Sequence, residues 1–407
     1  MKLFLTIFFC IITLIGCANT HNSQENQNLL EETWMHNINL NPTIWTRDAD
    51  RWFFTGEPNS TENYVNHASG DQAISMTAVK VPQIINVTID GCFQVQIVGG
   101  QDRSSVFILG PNEETRQTLV QVFGNTIVVT QSKDDKGRMV NLKNVIVRIG
   151  VRDLRSLKVN GGANVEGRTL ISDGMVINAN NDGNILLNGH MNLLKINNSG
   201  SGTVSVIGAY APCLRIVNRS SGTVNLSGRV GVQSIDNLGN GKVNIIGADS
   251  RSLAIHACGN SVTKIAGYAN LKHLDATDHS CVNFYWVKSN GADILLSGHA
   301  RVGLAGCITH LDLCVMDNAR FGGQYLHSND IYVQTSGDAH ANIAADKKIF
   351  ASAVDNSSIY FYGSPGNVSR YTTDHGSVIP VWSNTTALPV PAYAPQFINS
   401  VNRPGER

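Results

Sequence analysis

Charge is scarce in this 407-residue chain: only 15% of residues are Asp, Glu, Lys or Arg, against about 25% in an ordinary globular domain. The 31 basic residues balance the 31 acidic ones, so no net field draws nucleic acid or anionic lipid to the molecule as a whole. Proline is missing from Glu113 to Ser364 except at Pro212, and glutamate is missing from Gly167 to Gly405. The 8 cysteines include no C-x-x-C pair, which argues against a zinc site. Each absence excludes something. A glycosidase built on paired carboxylates has only aspartates to draw on in that long stretch. Calcium-binding G-G-x-G-x-D nonapeptides do not occur. A proline-free stretch rich in Val, Ile, Asn, Ser and Gly leaves strand ladders with all their donors.

The first segment present is an address. Lys2 precedes an apolar run from Leu3 to Ile15, too short for a permanent membrane helix. The run ends in Leu14-Ile15-Gly16-Cys17, the form of a bacterial lipobox, in which cleavage after Gly16 leaves Cys17 to carry lipid. The plain alternative is an ordinary signal peptide beside an incidental cysteine. Ala18 stands where aspartate would favour inner-membrane retention, so an outer-membrane lipoprotein is expected, facing the periplasm or the cell surface. Residues 1–16 therefore read as signal peptide, and 17–33 as lipidated Cys17 with a polar, flexible tether. Residues 34–80, with Trp34, Trp45 and Trp52, read as an irregular N-terminal cap, and 381–407 as a proline-bearing tail.

Between these lies alternation of period two. Strands are expected at INVTIDG, CFQVQIVGG, SSVFILG, NTIVVTQS and NVIVRIGV, with a short helix or turn at NEETRQTLVQVF. From about Leu157 a glycine closes each short strand, at Gly189, Gly208, Gly228, Gly247 and Gly267, with gaps of 19, 20, 19 and 20 residues. The beat continues through Trp286, Gly306, Tyr325, Ala345 and Gly363. Each unit holds a second strand with aliphatics two apart: Leu194/Ile196, Leu214/Ile216, Leu253/Ile255, Ile294/Leu296, Leu311/Leu313 and Ile331/Val333. Residues two apart on a strand face one side. One such unit cannot bury its apolar face, but a stack of them can. The fold expected is all-β, a single-stranded parallel β-helix (β-solenoid) of about ten coils spanning 157–380, with coils about 4.8 Å apart. A β-propeller needs longer blades, and a sandwich would not keep this register.

The run Val87-Thr88-Ile89-Asp90-Gly91-Cys92-Phe93-Gln94-Val95-Gln96-Ile97 and the later S-G-S-G and Tyr362-Gly363-Ser364-Pro365 segments resemble the head GIN family of bacterial envelope proteins, labelled autotransporter-adhesin heads. The resemblance covers roughly residues 83–380 and is weakest from Ala269 to Asp346, where many glycines are lost. It implies secretion and a β-helical fold, and supplies no catalytic residues. The strands from 81 to 156 read as the N-terminal part of that region.

Candidate chemistry is sparse. Lys195, Arg215, Arg229, Lys242, Arg251 and Lys264 occur singly at different offsets, and most aspartates sit in turns, where they serve the backbone. His279 and His299 lie twenty apart, so adjacent coils stack them near Asp275, Asp278 and Asp293; exposed turn histidines without a metal are the expected state. Trp286, Tyr325 and Tyr362 share nearly the same place in the unit and form a partial stripe on which a glycan or peptide stacks, although strand propensity alone accounts for aromatics there. The candidate ligand face is thus Asp275, Asp278, His279, His299, Trp286, Tyr325 and Tyr362, with no catalytic residue, metal or cofactor. Cys92, Cys213, Cys258, Cys281, Cys307 and Cys314 are expected as small buried thiols, with one disulfide among the last four as the alternative. The function expected is a lipid-anchored, non-enzymatic adhesion, binding or scaffolding protein of the envelope, with a membrane anchor and a glycan or protein ligand as partners and no nucleic acid. The alternative is a carbohydrate-binding or carbohydrate-active β-helix, such as a polysaccharide lyase or hydrolase.

Overall fold

A computed structural model describes residues 62–66, 74–132, 142 and 144–381. The expected signal peptide, Cys17, the tether, most of the cap segment and the tail beyond residue 381 lie outside them. Strand makes up 75% of the structure and helix 1%, arranged as a parallel β-solenoid of about 12 turns with a period of about 19 residues. From Asn164 the chain runs as ten long bent strands, Asn164–Asn181 through His340–Ala353. Each lies parallel to and in register with the next.

Register decides the core. Val204, Val224, Val243, Thr263, Val282 and Val302 are directly above one another, and all are buried. So are Ile216, Ile235, Ile255, Leu274, Ile294 and Leu313 across the coil. Burial of each such side chain stabilises by about 1.5–3 kcal/mol, and stacking supplies at every coil the apolar roof that the coil lacks alone. Leu194 is the exception among the six expected pairs: it is 46% exposed and Leu193 is buried instead. A register shift between Asn192 and Lys195 turns it outward.

The turns exceed the ten expected because the strands before residue 157 belong to the same stack, in an order that differs from their order in sequence. The pair Asn86–Gly91 and Gln94–Val98 comes first in the chain but is not outermost. Asn86–Gly91 lies between Thr126–Gln131 and Ser156–Gly161, and Gln94–Val98 lies between Ile146–Gly150 and Asn164–Asn181. Antiparallel strands then cover the end of the stack. Thr118–Phe123 pairs with Thr126–Gln131, Ser105–Pro111 with Ile146–Gly150, and Ile74–Lys80 with both Ser105–Pro111 and Glu62–Asn66. An open parallel edge would template further pairing, and this arrangement removes it. The expected helix or turn at NEETRQTLVQVF is resolved into a helix of four residues, Asn112–Thr115, and the strand Thr118–Phe123.

One interior column is polar. Asn198 Nδ2 donates to Asn218 Oδ1 at 3.0 Å, Asn218 Nδ2 to Asn237 Oδ1 at 3.0 Å, and Asn237 Nδ2 to Thr263 Oγ1 at 3.1 Å. Higher in the stack the same column becomes Ala257, Ala276, Leu296 and Val315. All six cysteines named above are free, and none is buried. That corrects the expectation of interior thiols, for a simple reason: Cys281 is in register with solvent-facing Arg301 and Arg320. Partial burial raises the Cys314 thiol pKa, and burial with Asp278 and Asp275 nearby raises that of Cys258. Neither is an activated nucleophile.

Candidate functional site

The expected site residues occupy three separate places. Asp278 sits in a tight turn at φ +59°, in a column that alternates Gly259, Asp278, Gly298, Asp317, Gly337 and Asp355, all with positive φ. Each aspartate reaches back one coil: the Oδ2 atoms of Asp278, Asp317 and Asp355 accept from Gly259 N, Gly298 N and Gly337 N at 2.9, 2.9 and 3.0 Å. Aspartate tolerates the left-handed conformation and glycine adopts it freely. These carboxylates serve the backbone, as their turn positions suggest.

His279 and His299 follow the turn, and the structure does bring them together, with ring centroids 4.7 Å apart and planes tilted by 30°. Asp275 lies on the face of the second strand, 3.8 Å from His256 Nδ1. Among the described residues no three His, Cys, Asp or Glu side chains converge as metal ligands.

The aromatics lie at the glycine corner that closes the first strand, and here the structure shows a repeat of two coils. Corner φ values alternate: Gly189 +152°, Gly208 +75°, Gly228 +140°, Gly247 +85°, Gly267 +135°, Trp286 +69° and Gly306 +137°. The residue before each corner alternates with them. In one outward column, register places Ile207, Ser227, Ile246, Ala266, Tyr285, Ala305 and Tyr325 above one another. A large apolar side chain thus precedes each tight corner of Gly208, Gly247 and Trp286, and a small one, Ser227, Ala266 or Ala305, the wide corners of Gly228, Gly267 and Gly306. Ile207, Ile246, Tyr285 and Tyr325 are 41, 49, 39 and 50% exposed. With two coils between them, these teeth stand about 9.6 Å apart. The gaps of 19 and 20 residues are the sequence trace of this alternation.

Tyr285, not Trp286, therefore stands in the Tyr325 column. Tyr362 belongs to another, in register with Ala344 and through it with His327. Trp286 occupies the corner itself and packs edge-on against Tyr285, with centroids 6.5 Å apart. A bulky side chain at positive φ is a backbone outlier that costs about 1–3 kcal/mol. The neighbouring tight corners avoid that cost with glycine. Beyond the corner, Tyr210 and Tyr268 add exposed rings, and Lys288 Nζ lies 5.7 Å from the Tyr268 centroid. The signal missed in the sequence was an alternation of large and small residues before successive glycines.

On the opposite strand face a shallow groove of about 380 Å³ is lined by His273, Asp293, Asp312, Cys314, Tyr332 and Gln334, among others. Asp293 and Asp312 are in register on adjacent coils, with His273 one coil before.

His340 lies in the outward column containing Arg320, its Nδ1 2.7 Å from Ser358 Oγ. Burial, and then the Arg320 charge, lower its pKa below the ordinary 6.5. The folded state thus binds fewer protons than the unfolded chain, so the contribution to stability is whole above pH 6.5 and is lost as the pH falls below it. Thermal unfolding should show a drop in midpoint between about pH 7 and pH 5, and a smaller drop in His340→Asn. Equal drops would mean that another group carries the acid sensitivity.

Residues 85–273 match the family described as "Putative auto-transporter adhesin, head GIN domain". The match ends in the coil Val262–Ala276, close to where the glycines thin out. No curated protein matches the chain. Among crystal structures, a protein described as a putative adhesin from Bacteroides fragilis is 14% identical, with 76% of this chain and 97% of that one covered at a TM-score of 0.25. A putative adhesin from Parabacteroides distasonis is 10% identical, covering 77% and 98% at 0.28. A putative lipid binding protein from the same species is 11% identical, covering 76% and 97% at 0.27. Over residues 85–273, the solenoid with its glycine corners is thus similar to the head GIN domain.

Proposed function

We propose that this chain is an envelope protein, anchored through lipid on Cys17, whose solenoid is a non-enzymatic adhesion scaffold that holds an elongated partner along the corner ridge. One observation carries the reading. Trp286 keeps a large aromatic ring at a left-handed corner where Gly208 and Gly247 stand four and two coils away. Backbone strain of that kind persists where a side chain is needed for something other than folding. The exposed teeth beside it give a partner repeated apolar contacts, and aromatic rings supply large contact area at low entropic cost.

The test is Trp286→Gly. The variant should be more stable by about 1 kcal/mol, from relief of the left-handed strain, and should lose adhesion to host cells and glycan arrays. A variant that is destabilised while adhesion persists would overturn the reading. Incorporation of radiolabelled palmitate, lost in Cys17→Ala, tests the anchor separately.

A second reading, a carbohydrate-active solenoid, draws on the groove that places Asp293, Asp312 and His273 beside Tyr332. Asp293→Asn and Asp312→Asn would abolish the release of reducing ends from a bound polysaccharide under that reading alone.

A further inference from the structure

Register shows an order in the charges that their sequence offsets hide. The outward positions of the first strand form three parallel columns across the coils from Asn184 to Ile379. Lys242, Lys264, Arg301, Arg320 and His340 stand on that face, and no aspartate or glutamate does. The acids of these coils lie elsewhere, as with Asp275, Asp293 and Asp312 on the second-strand face. A chain without net charge therefore presents, over these coils, a face free of carboxylates; the same columns carry one only in the coil before, at Glu166, which is paired with Arg168.

The cationic side chains concentrate at one point. Arg301 and Arg320 are register partners on adjacent coils, about 4.8 Å apart along the stack, and both are exposed. Among the described residues neither guanidinium has an ion-pair or hydrogen-bond partner. Like charges directly opposed across strands are destabilising, so this pair costs the fold stability unless an anion lies between them.

Beside them the floor is bare. Gly303 and Gly322, two residues along each strand, are also register partners. Gly322 does not have positive φ, and a Cβ built there would meet nothing nearer than Val302 O at 3.6 Å. Neither conformation nor sterics requires glycine at that position. Glycine inside a strand weakens it and marks a place where a ligand approaches the backbone closely. Asn283 and Asn342 border the floor on the coils before and after. Tyr325 and Tyr285 form its far wall, about 13 Å from the arginines, at four residues along a strand.

We infer that this floor binds an acidic polysaccharide, its carboxylate or sulfate groups held by Arg301 and Arg320 and its sugar rings laid over Gly303 and Gly322 against Tyr325. The inference rests on the ridge reading above and names the chemical class of its partner. Carboxylate and sulfate share the planar or tripodal oxygens that a guanidinium fork recognises, and Asn283 and Asn342 suit hydroxyl groups. A lipid surface fits less well, because amides occupy the middle of the face, where an interfacial protein would present apolar side chains.

The experiment measures binding of the full-length chain to immobilised polygalacturonate, dextran sulfate and neutral dextran, and to vesicles containing phosphatidylglycerol. The expected result is binding to one or both acidic polymers, weakened by salt, with none to dextran. Arg301→Gln with Arg320→Gln should reduce affinity about 100-fold, at about tenfold for each charge-assisted hydrogen bond removed. Gly322→Val, which fills the floor with a good strand former, should abolish binding while leaving the unfolding midpoint unchanged or raised. Preference for sulfate over carboxylate, or the reverse, identifies the acid. Equal binding to dextran, unchanged affinity in the arginine variant, or binding to vesicles alone would overturn the inference. If Trp286→Gly abolishes cell adhesion while the arginine variant adheres normally, the ridge reading stands and the acidic ligand falls.

Discussion

Gly247→Ala should destabilise the solenoid by about 4 kcal/mol, as much as a large core truncation. Gly247 has φ +85°, and a Cβ there would lie 2.0 Å from Gly228 O on the coil below. The ladder is interrupted at the corner itself, but the pairs that flank it, Ser227 with Ile246 and Val230 with Ala248, hold the two corners against each other. Two companion variants separate clash from conformation. Gly208 has φ +75°, with Gly189 O at 2.9 Å, and Gly124 has φ +60° with nothing within 4 Å. Gly208→Ala should cost about 2 kcal/mol and Gly124→Ala about 1 kcal/mol, the latter being the left-handed penalty alone. Because coils of a repeat protein open separately, hydrogen exchange in Lys242–Gly259 is a sharper measure than a global midpoint. Three equal losses would show that close approach of the corners is not what demands glycine.

Asn218→Ala should cost about 3 kcal/mol by stranding its neighbours. Asn218 is fully buried and stands between Asn198 and Asn237. Its loss leaves Asn198 Nδ2 without an acceptor and Asn237 Oδ1 without a donor, in a part of the core that water does not reach. Asn218→Leu should be no better, since the orphaned groups belong to other residues. Asn197→Ala is the control: its 2.7 Å bond to Asn178 Oδ1 is on the partly exposed face, so water replaces it at a cost below about 1 kcal/mol. Simultaneous replacement of Asn198, Asn218 and Asn237 by aliphatics should cost less than the sum of the single changes. The coils above already run this column on Ala257, Ala276, Leu296 and Val315, all buried. Additive losses on chemical denaturation would refute the ladder account.

The repeat was legible because its cause is local. Alternating Val, Ile and Leu between Gly-rich turns specify short strands with one apolar face, and a fixed interval between closing glycines specifies stacking. Five of the six expected aliphatic pairs face inward, and Leu194 fails only because a register irregularity precedes it. The pairing of His279 with His299 was legible for the same reason, being one period apart. Less could be read at the N-terminal end. Thr126–Gln131 stacks outside Asn86–Gly91 by a long-range pairing with no periodic trace. Nor was the Trp286, Tyr325 and Tyr362 stripe correctly read, since one residue of slip at a corner moves a side chain to another column, and three strands each slip differently.

The candidate binding face shows the same division. Arg301, Arg320, Gly303 and Gly322 are visible in the sequence as unrelated residues of two similar hexamers. That the guanidiniums are stacked without a carboxylate between them is a property of register across coils. Composition, strand identity and period can be read from the sequence alone, because each depends on residues close together along the chain. The order of the first turns, the pairing of coils into a repeat of two and the segregation of charge by face were decided only in three dimensions. In a solenoid each side chain's nearest neighbours are a full turn away, so contacts between coils, and any surface built from them, exist only once the register is set.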